Sequence, residues 1–176
     1  MKRVAILLTT IALSIGIAYA EGVVTSQNFH EMYNAGTMTV NTSTKTAVTD
    51  FVTYTYSGET SRFYADASET GGKIGLQLYN SGAKVVTSTI EELESVTVQY
   101  FAFSAKMRMK VYYSADSGSS WTQLEITSDI IGSTTYDMPA KGNYMLKIER
   151  WDDIWLEQID YVTAPPCNCL RVIVTE

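Results

Sequence analysis

The chain is poor in the residues that most catalysis and metal binding require. It has one histidine, His30, and two cysteines, both in Cys167-Asn168-Cys169. Nucleophilic triads need a base, usually histidine. His30 lies in Asn28-Phe29-His30-Glu31-Met32, and no G-x-S-x-G surrounds any serine, so a histidine-dependent hydrolase is not expected. His30 reads as a surface or loop residue. Two thiolates cannot complete a tetrahedral zinc site, and a disulfide across one intervening residue would be strained and close almost no loop. Phosphate-cradling and dinucleotide glycine patterns are absent. So are long helical periodicity and internal repeats.

Positive charge is also scarce: 13 basic residues face 19 acidic ones, a formal net charge of −6. Without Lys2 and Arg3 the balance is 11 against 19, or −8. No basic cluster stands out along the sequence, which argues against nucleic acid or an anionic membrane as partner. The acidic excess reads as a solubility device. No cofactor is implied. Structural calcium is the one metal that the oxygen-rich turns would suit, although no EF-hand-like spacing supports it.

What is present begins with an export signal. Lys2 and Arg3 form a basic region, Val4 to Ile17 is largely apolar, and Ala18-Tyr19-Ala20 fits a small-x-small cleavage site. Residues 1–20 are therefore expected to be a cleaved signal peptide, with no membrane insertion afterwards. The remainder is expected to be secreted or displayed at the cell surface. Residues 21–164 provide enough chain for one core without disulfide support. Pro165-Pro166 interrupts the strand pattern, leaving 165–176 as an extra strand or the start of a further domain. The sequence assigns no oligomeric state.

Thr, Val, Tyr, Ser and Ile dominate the mature region, in short alternating runs separated by turn clusters. That pattern predicts strands at Thr37–Thr42, Ala47–Tyr56, Ser61–Ala67, Lys73–Tyr79, Lys84–Ser88, Ser95–Ser104, Lys106–Ser114, Trp121–Ile126, Thr134–Met138, Tyr144–Glu149, Ile154–Thr163 and Leu170–Thr175. Ile90–Glu94 reads as a single helical turn, and Lys141-Gly142-Asn143 as a turn between two strands. Met107, Met109, Val111 and Tyr113 alternate with Lys106, Arg108, Lys110 and Tyr112, so one face is buried and the other wet. Tyr144, Leu146 and Ile148 oppose Met145, Lys147 and Glu149 likewise. Tyr100-Phe101-Ala102-Phe103 is apolar on both faces. The expected fold class is all-β, a two-sheet antiparallel β-sandwich.

Ser114-Ala115-Asp116-Ser117-Gly118-Ser119-Ser120-Trp121 is the sharpest local pattern. Asp116 can accept turn N–H groups, Gly118 tolerates a left-handed backbone, and Trp121 can pack over the loop. Ser114, Asp116, Gly118 and Trp121 thus read as a structural hairpin. The run resembles the Asp-box of sialidases and other secreted, carbohydrate-related proteins. A sialidase would carry several such boxes and an arginine cluster, however, and only Arg62, Arg108, Arg150 and Arg171 follow the signal region.

From Ser95 to Val162 the chain resembles exported jelly-roll, galactose-binding-like β-sandwich modules of Bacteroides-type bacteria. Val98-Gln99-Tyr100-Phe101-Ala102, Lys110-Val111-Tyr112-Tyr113-Ser114, Trp121-Thr122-Gln123-Leu124, Tyr144-Met145-Leu146-Lys147-Ile148 and Ile159-Asp160-Tyr161-Val162 carry the likeness. Such modules accompany polysaccharide-degrading enzymes, so the resemblance implies a non-catalytic, carbohydrate-binding role and a glycan partner. It carries over no sugar-contact residue.

Contact candidates come from chemistry instead. Flat aromatic rings complement the apolar faces of sugars, and neighbouring polar groups fix orientation. Trp151 and Trp155 flank Asp152-Asp153 beside Arg150, and Tyr112 shares a face with Lys110. Trp151, Trp155, Tyr112 and Arg150 are the candidates, weighed against tryptophans that merely close the core. No catalytic residue is assigned. A structural or adhesive surface protein is the main alternative. A small glycosidase or polysaccharide lyase would need two of Glu91, Glu92, Glu94, Glu149, Asp152, Asp153, Glu157 and Asp160 to converge.

Overall fold

β-Branched and aromatic side chains fit a pleated, half-buried surface better than a helix. The computed structural model follows that preference. It describes residues 22–39, 44–57, 61–64, 75–79, 81–101, 109–124, 132–151 and 154–165. The strands are β1 (Val23–Asn28), β2 (Lys45–Val48), β3 (Thr53–Ser57), β4 (Ser61–Tyr64), β5 (Gly75–Leu78) and β6 (Lys84–Thr87). They continue with β7 (Ile90–Phe101), β8 (Met109–Ser114), β9 (Thr122–Gln123), β10 (Gly132–Arg150) and β11 (Ile154–Thr163). Among the described residues one short helix, α1 (Phe29–Asn34), starts where the Asn28 side chain accepts the Glu31 N–H at 3.0 Å.

All strand pairs are antiparallel, as expected. One sheet runs β4–β5–β11–β7–β10, with β1 beside the C-terminal half of β11. The other runs β2–β3–β6–β10–β8–β9. β10 belongs to both: residues 132–144 pair with β7, and residues 145–150 lie between β6 and β8. The result is a two-sheet antiparallel β-sandwich joined along one shared strand.

The core lies between the sheets. Tyr54, Val85, Val96, Val98, Val111, Leu146, Ile148, Leu156, Ile159 and Tyr161 are buried there, and Phe29 of α1 closes one end against Tyr54. The Tyr54 and Tyr161 hydroxyls meet at 2.9 Å inside it. Burial pushes both phenols above the usual tyrosine range; their mutual hydrogen bond offsets part of this at Tyr54. Alternation gave the inner faces correctly. Met109, Val111, Tyr144, Leu146 and Ile148 point inward, while Lys110, Tyr112, Met145, Lys147 and Glu149 are part-exposed.

Three local expectations are corrected. Ala47–Tyr56 is two strands, because Thr49 Oγ1 donates to the Val52 carbonyl and accepts the Val52 N–H, closing a tight turn. Ile90–Glu94 is extended rather than helical and forms the start of β7. Glu92 there takes a positive φ of 53° and donates its N–H to Asn143 Oδ1. Lys141-Gly142-Asn143 does not turn the chain back; β10 runs through it with two register shifts as it passes between the sheets. β1 and α1 were not anticipated. The strand expected at Leu170–Thr175 and Cys167-Asn168-Cys169 lie outside the described residues.

Candidate functional site

The hairpin between β8 and β9 is closed by its own side chains. Ser114 Oγ donates to Asp116 Oδ1 at 2.7 Å and accepts the Gly118 N–H at 2.8 Å. Asp116 Oδ1 accepts the Ser120 N–H at 2.8 Å, and Oδ2 accepts the Ser120 hydroxyl at 2.6 Å. Ser117 and Gly118 take φ of 55° and 87°, so the tip needs the left-handed region twice in succession. Bonds from Ser120, then from Ser114, hold the Asp116 carboxyl down to about 2. The loop lies against its neighbours: a Cβ at Gly118 would sit 3.6 Å from the Trp121 ring and from Met145 Sδ. The hairpin therefore sets where Trp121 stands.

Trp121 stands over the outer face of the second sheet. Lys147, on β10, faces Tyr112 on β8, and its Nζ is 4.2 Å from the Tyr112 ring centroid and 4.8 Å from that of Trp121. The ammonium is gripped between two rings, each contact contributing about 0.5–2 kcal/mol. It also pairs with Glu149 Oε1 at 3.1 Å. The partly desolvated Tyr112 hydroxyl is raised above its usual value by that desolvation, then by the charge of Glu149 and a hydrogen bond to it. One residue pair further along, Lys110 Nζ lies 4.7 Å from the ring centroid of Trp151, which is 43 % exposed. Trp121, Tyr112 and Trp151 thus share one face, interleaved with Lys147, Glu149 and Lys110.

The four contact candidates separate. Tyr112 and Trp151 belong to this face. Arg150 pairs with Met109, so alternation sends it to the opposite side of β10. Trp155 is 4 % exposed and stacked on Phe101 at 5.9 Å and 13° on the other sheet. The expectation that Trp151 and Trp155 form a joint surface is therefore corrected. Gly75 permits that stack, since a Cβ there would fall 2.9 Å from the Phe101 ring. Lys147 was missed, Glu149 was weighed only as a catalytic acid, and Trp121 only as a hairpin residue. Their only signal was the alternation of β8 and β10, which gives faces but not which residue stands opposite which.

The remaining titratable candidates are engaged elsewhere. His30 hydrogen-bonds Asn34 at 2.9 Å along α1. Asp160 accepts from Gln99 at 2.8 Å and Gln158 at 2.6 Å on the outer face of the first sheet. Glu92 pairs with Lys141 at 2.8 Å. Asp152 and Asp153 lie outside the described residues. Among the described residues no three acidic, histidine or cysteine groups cluster as metal ligands, and no helix is long and apolar enough to cross a membrane.

No protein-family profile matches the chain, and no curated protein sequence matches it. Solved structures give distant likenesses. A family two carbohydrate esterase from Cellvibrio japonicus shares 10 % identity at a TM-score of 0.44, over 82 % of this chain and 37 % of that one. The chain thus corresponds to little more than a third of that esterase. A low-affinity xylan-binding module, CBM86, from Roseburia intestinalis shares 13 % at 0.38, over 81 % of this chain and 98 % of that one. CBM32-1 from a family 31 glycoside hydrolase of Clostridium perfringens shares 12 % at 0.40, over 73 % and 99 %. What the strand pairing itself defines is the class: an all-β, two-sheet antiparallel sandwich.

Proposed function

We propose that this chain is an exported, non-catalytic module of carbohydrate-binding type, and that its contact surface is the outer face formed by β8, β9 and the C-terminal part of β10. The observation that carries the reading is the set of Trp121, Tyr112 and Trp151 on one face of the second sheet, with Lys110 and Lys147 over the rings. Sugar rings offer apolar faces to such platforms and hydroxyls to the charges between them. Lys147 sits over the ring of Tyr112 and Glu149 bonds its hydroxyl, which pre-orders part of the platform before any ligand arrives.

The signal-like residues 1–20 support an extracytoplasmic location, and the proposed role calls for no cofactor. Affinity electrophoresis through gels loaded with soluble polysaccharides tests it. Folded wild-type protein should be retarded by at least one glycan, and Trp121→Ala and Trp151→Ala should each weaken that about tenfold, as loss of a stacked aromatic contact does. Unretarded migration on every glycan, with intact folding, would overturn the reading.

A structural or adhesive role draws on a different observation. Among the described residues β1 is paired only with β11, and Val23 and Val24 are 45 % and 62 % exposed along it. Exposed strand edges of that kind are where chains add to one another. Concentration-dependent association lost in Val24→Lys would favour that alternative.

A further inference from the structure

Folding gathers positive charge that the sequence scatters. Lys84, Lys110 and Lys147 are far apart in the chain, yet Glu149 stands opposite Lys84 on β6 and opposite Lys110 on β8, with Lys147 two residues before it. Glu149 is the sole carboxylate among the described residues facing outward on β3, β6, β8, β9 and residues 145–150 of β10. The Lys147–Glu149 pair, at 3.1 Å and with side chains 15 % and 27 % exposed, cancels itself. Lys84 and Lys110 remain as uncompensated cations, one on each side of it. The surrounding outward positions on β3 and β9 are neutral: Thr53, Thr55, Ser57 and Gln123.

Among the described residues of these strands this is an excess of two positive charges, with the Asp116 carboxylate tied up by Ser114 and Ser120 in the adjoining hairpin, in a chain of net charge −6. The Debye length at physiological salt is about 8 Å, so cations in contact with a ligand outweigh the distant acidic surface. From this placement, resting on the carbohydrate-binding reading above, we infer that the ligand is an acidic polysaccharide. Its anionic groups meet Lys84 and Lys110 while its ring faces lie on Tyr112, Trp121 and Trp151. Neutral glycans would give neither ammonium group an anionic partner, Lys110 keeping only the Trp151 ring. The ring row requires a sugar rather than an arbitrary polyanion.

The test is gel retardation and calorimetric titration with four polymers: a polyuronate, a sulfated polysaccharide, a neutral β-glucan and polyglutamate. The polyuronate or the sulfated polymer should bind, which of them does so identifying carboxylate or sulfate as the anion. That binding should weaken as salt rises, and Lys84→Gln/Lys110→Gln should lower it about tenfold, in the range of local electrostatic effects. Both lysines are part-exposed, and a matching thermal melt of the double variant verifies its fold. Equal or stronger binding of the β-glucan, unchanged in the double variant, would overturn the acidic assignment and leave the carbohydrate reading standing. Equal binding of polyglutamate would overturn the requirement for a sugar. Failure of all the polysaccharides would overturn both.

Discussion

The paired hydroxyls of Tyr54 and Tyr161 allow a stability experiment whose sign is set by the geometry. Both rings are fully buried, and the oxygens are 2.9 Å apart across a sequence separation of 107 residues. Tyr161→Phe keeps ring volume, so no cavity forms, but it leaves the Tyr54 hydroxyl desolvated without this bond. Such a group costs about 1–3 kcal/mol, and Tyr54→Phe should cost the same. Removing both hydroxyls leaves an apolar contact between two rings, which should cost under ~1 kcal/mol. The double variant should therefore lie at least ~1 kcal/mol above the sum of the singles. In a chain of this size each single lowers Tm by about 2–12 °C. Urea unfolding followed by intrinsic fluorescence, with the four proteins compared at one pH, measures the cycle. Additivity within about 0.5 kcal/mol would refute the claim that these hydroxyls satisfy each other.

The same pair predicts an alkaline limb. Both phenols are raised by burial, so their contribution to stability is complete below about pH 10 and declines as pH rises above it, because only the unfolded chain ionises there. Tyr54→Phe/Tyr161→Phe should flatten that limb, and an unchanged slope in urea titrations at high pH would refute it. Asp116 gives the opposite sign: its carboxyl is held near 2 against an ordinary 3.8, so the hairpin's contribution is present above pH 3.8 and lost as pH falls through 2. Carbon-detected NMR titration should place Asp116 near 2 and should return it toward 3.8 in Ser120→Ala; a titration near 3.8 in the wild type would refute the hydrogen-bond pattern. Leu156→Ala, at a fully buried position on β11 beside Gly75, should cost about 2–5 kcal/mol in urea unfolding; a loss under ~1 kcal/mol would mean that this part of the core is loosely packed.

Much of the sandwich was legible because alternation is a local property. The sidedness of β8 and β10 follows from residues 109–114 and 144–149 alone, and β11 has the bounds that its pattern predicts. What failed were the junctions. Thr49 ends a strand through its own hydroxyl, whereas Gly142, a strong turn signal, is absorbed into a bent continuous strand. Turn-forming chemistry states that a backbone can deviate and leaves the outcome to tertiary pairing. The aromatic face was half legible. Tyr112 and Trp151 were chosen for their type, but Trp155 has the same type and packs on Phe101, a partner 54 positions earlier in sequence. Lys84, Lys110 and Lys147 become a set only through the register of β6, β10 and β8. Register is set by long-range contacts, which a search for basic clusters along the chain does not detect.

The strand shared by both sheets imposes a counting rule on its own sequence. Residues 132–137, 142 and 144 of β10 are registered against β7, and residues 145–150 against β6 and β8. Side chains on a strand alternate with a period of two. Unless a further bulge absorbs it, gaining or losing one residue between Met138 and Tyr144 would turn Leu146 and Ile148 outward and bury Lys147 and Glu149. Losses or gains in pairs would preserve the arrangement. The crossing at Pro139 to Asn143 thus works as a parity lock: its length must stay even or odd with the rest of the chain, whatever residues compose it, for the aromatic face to exist at all.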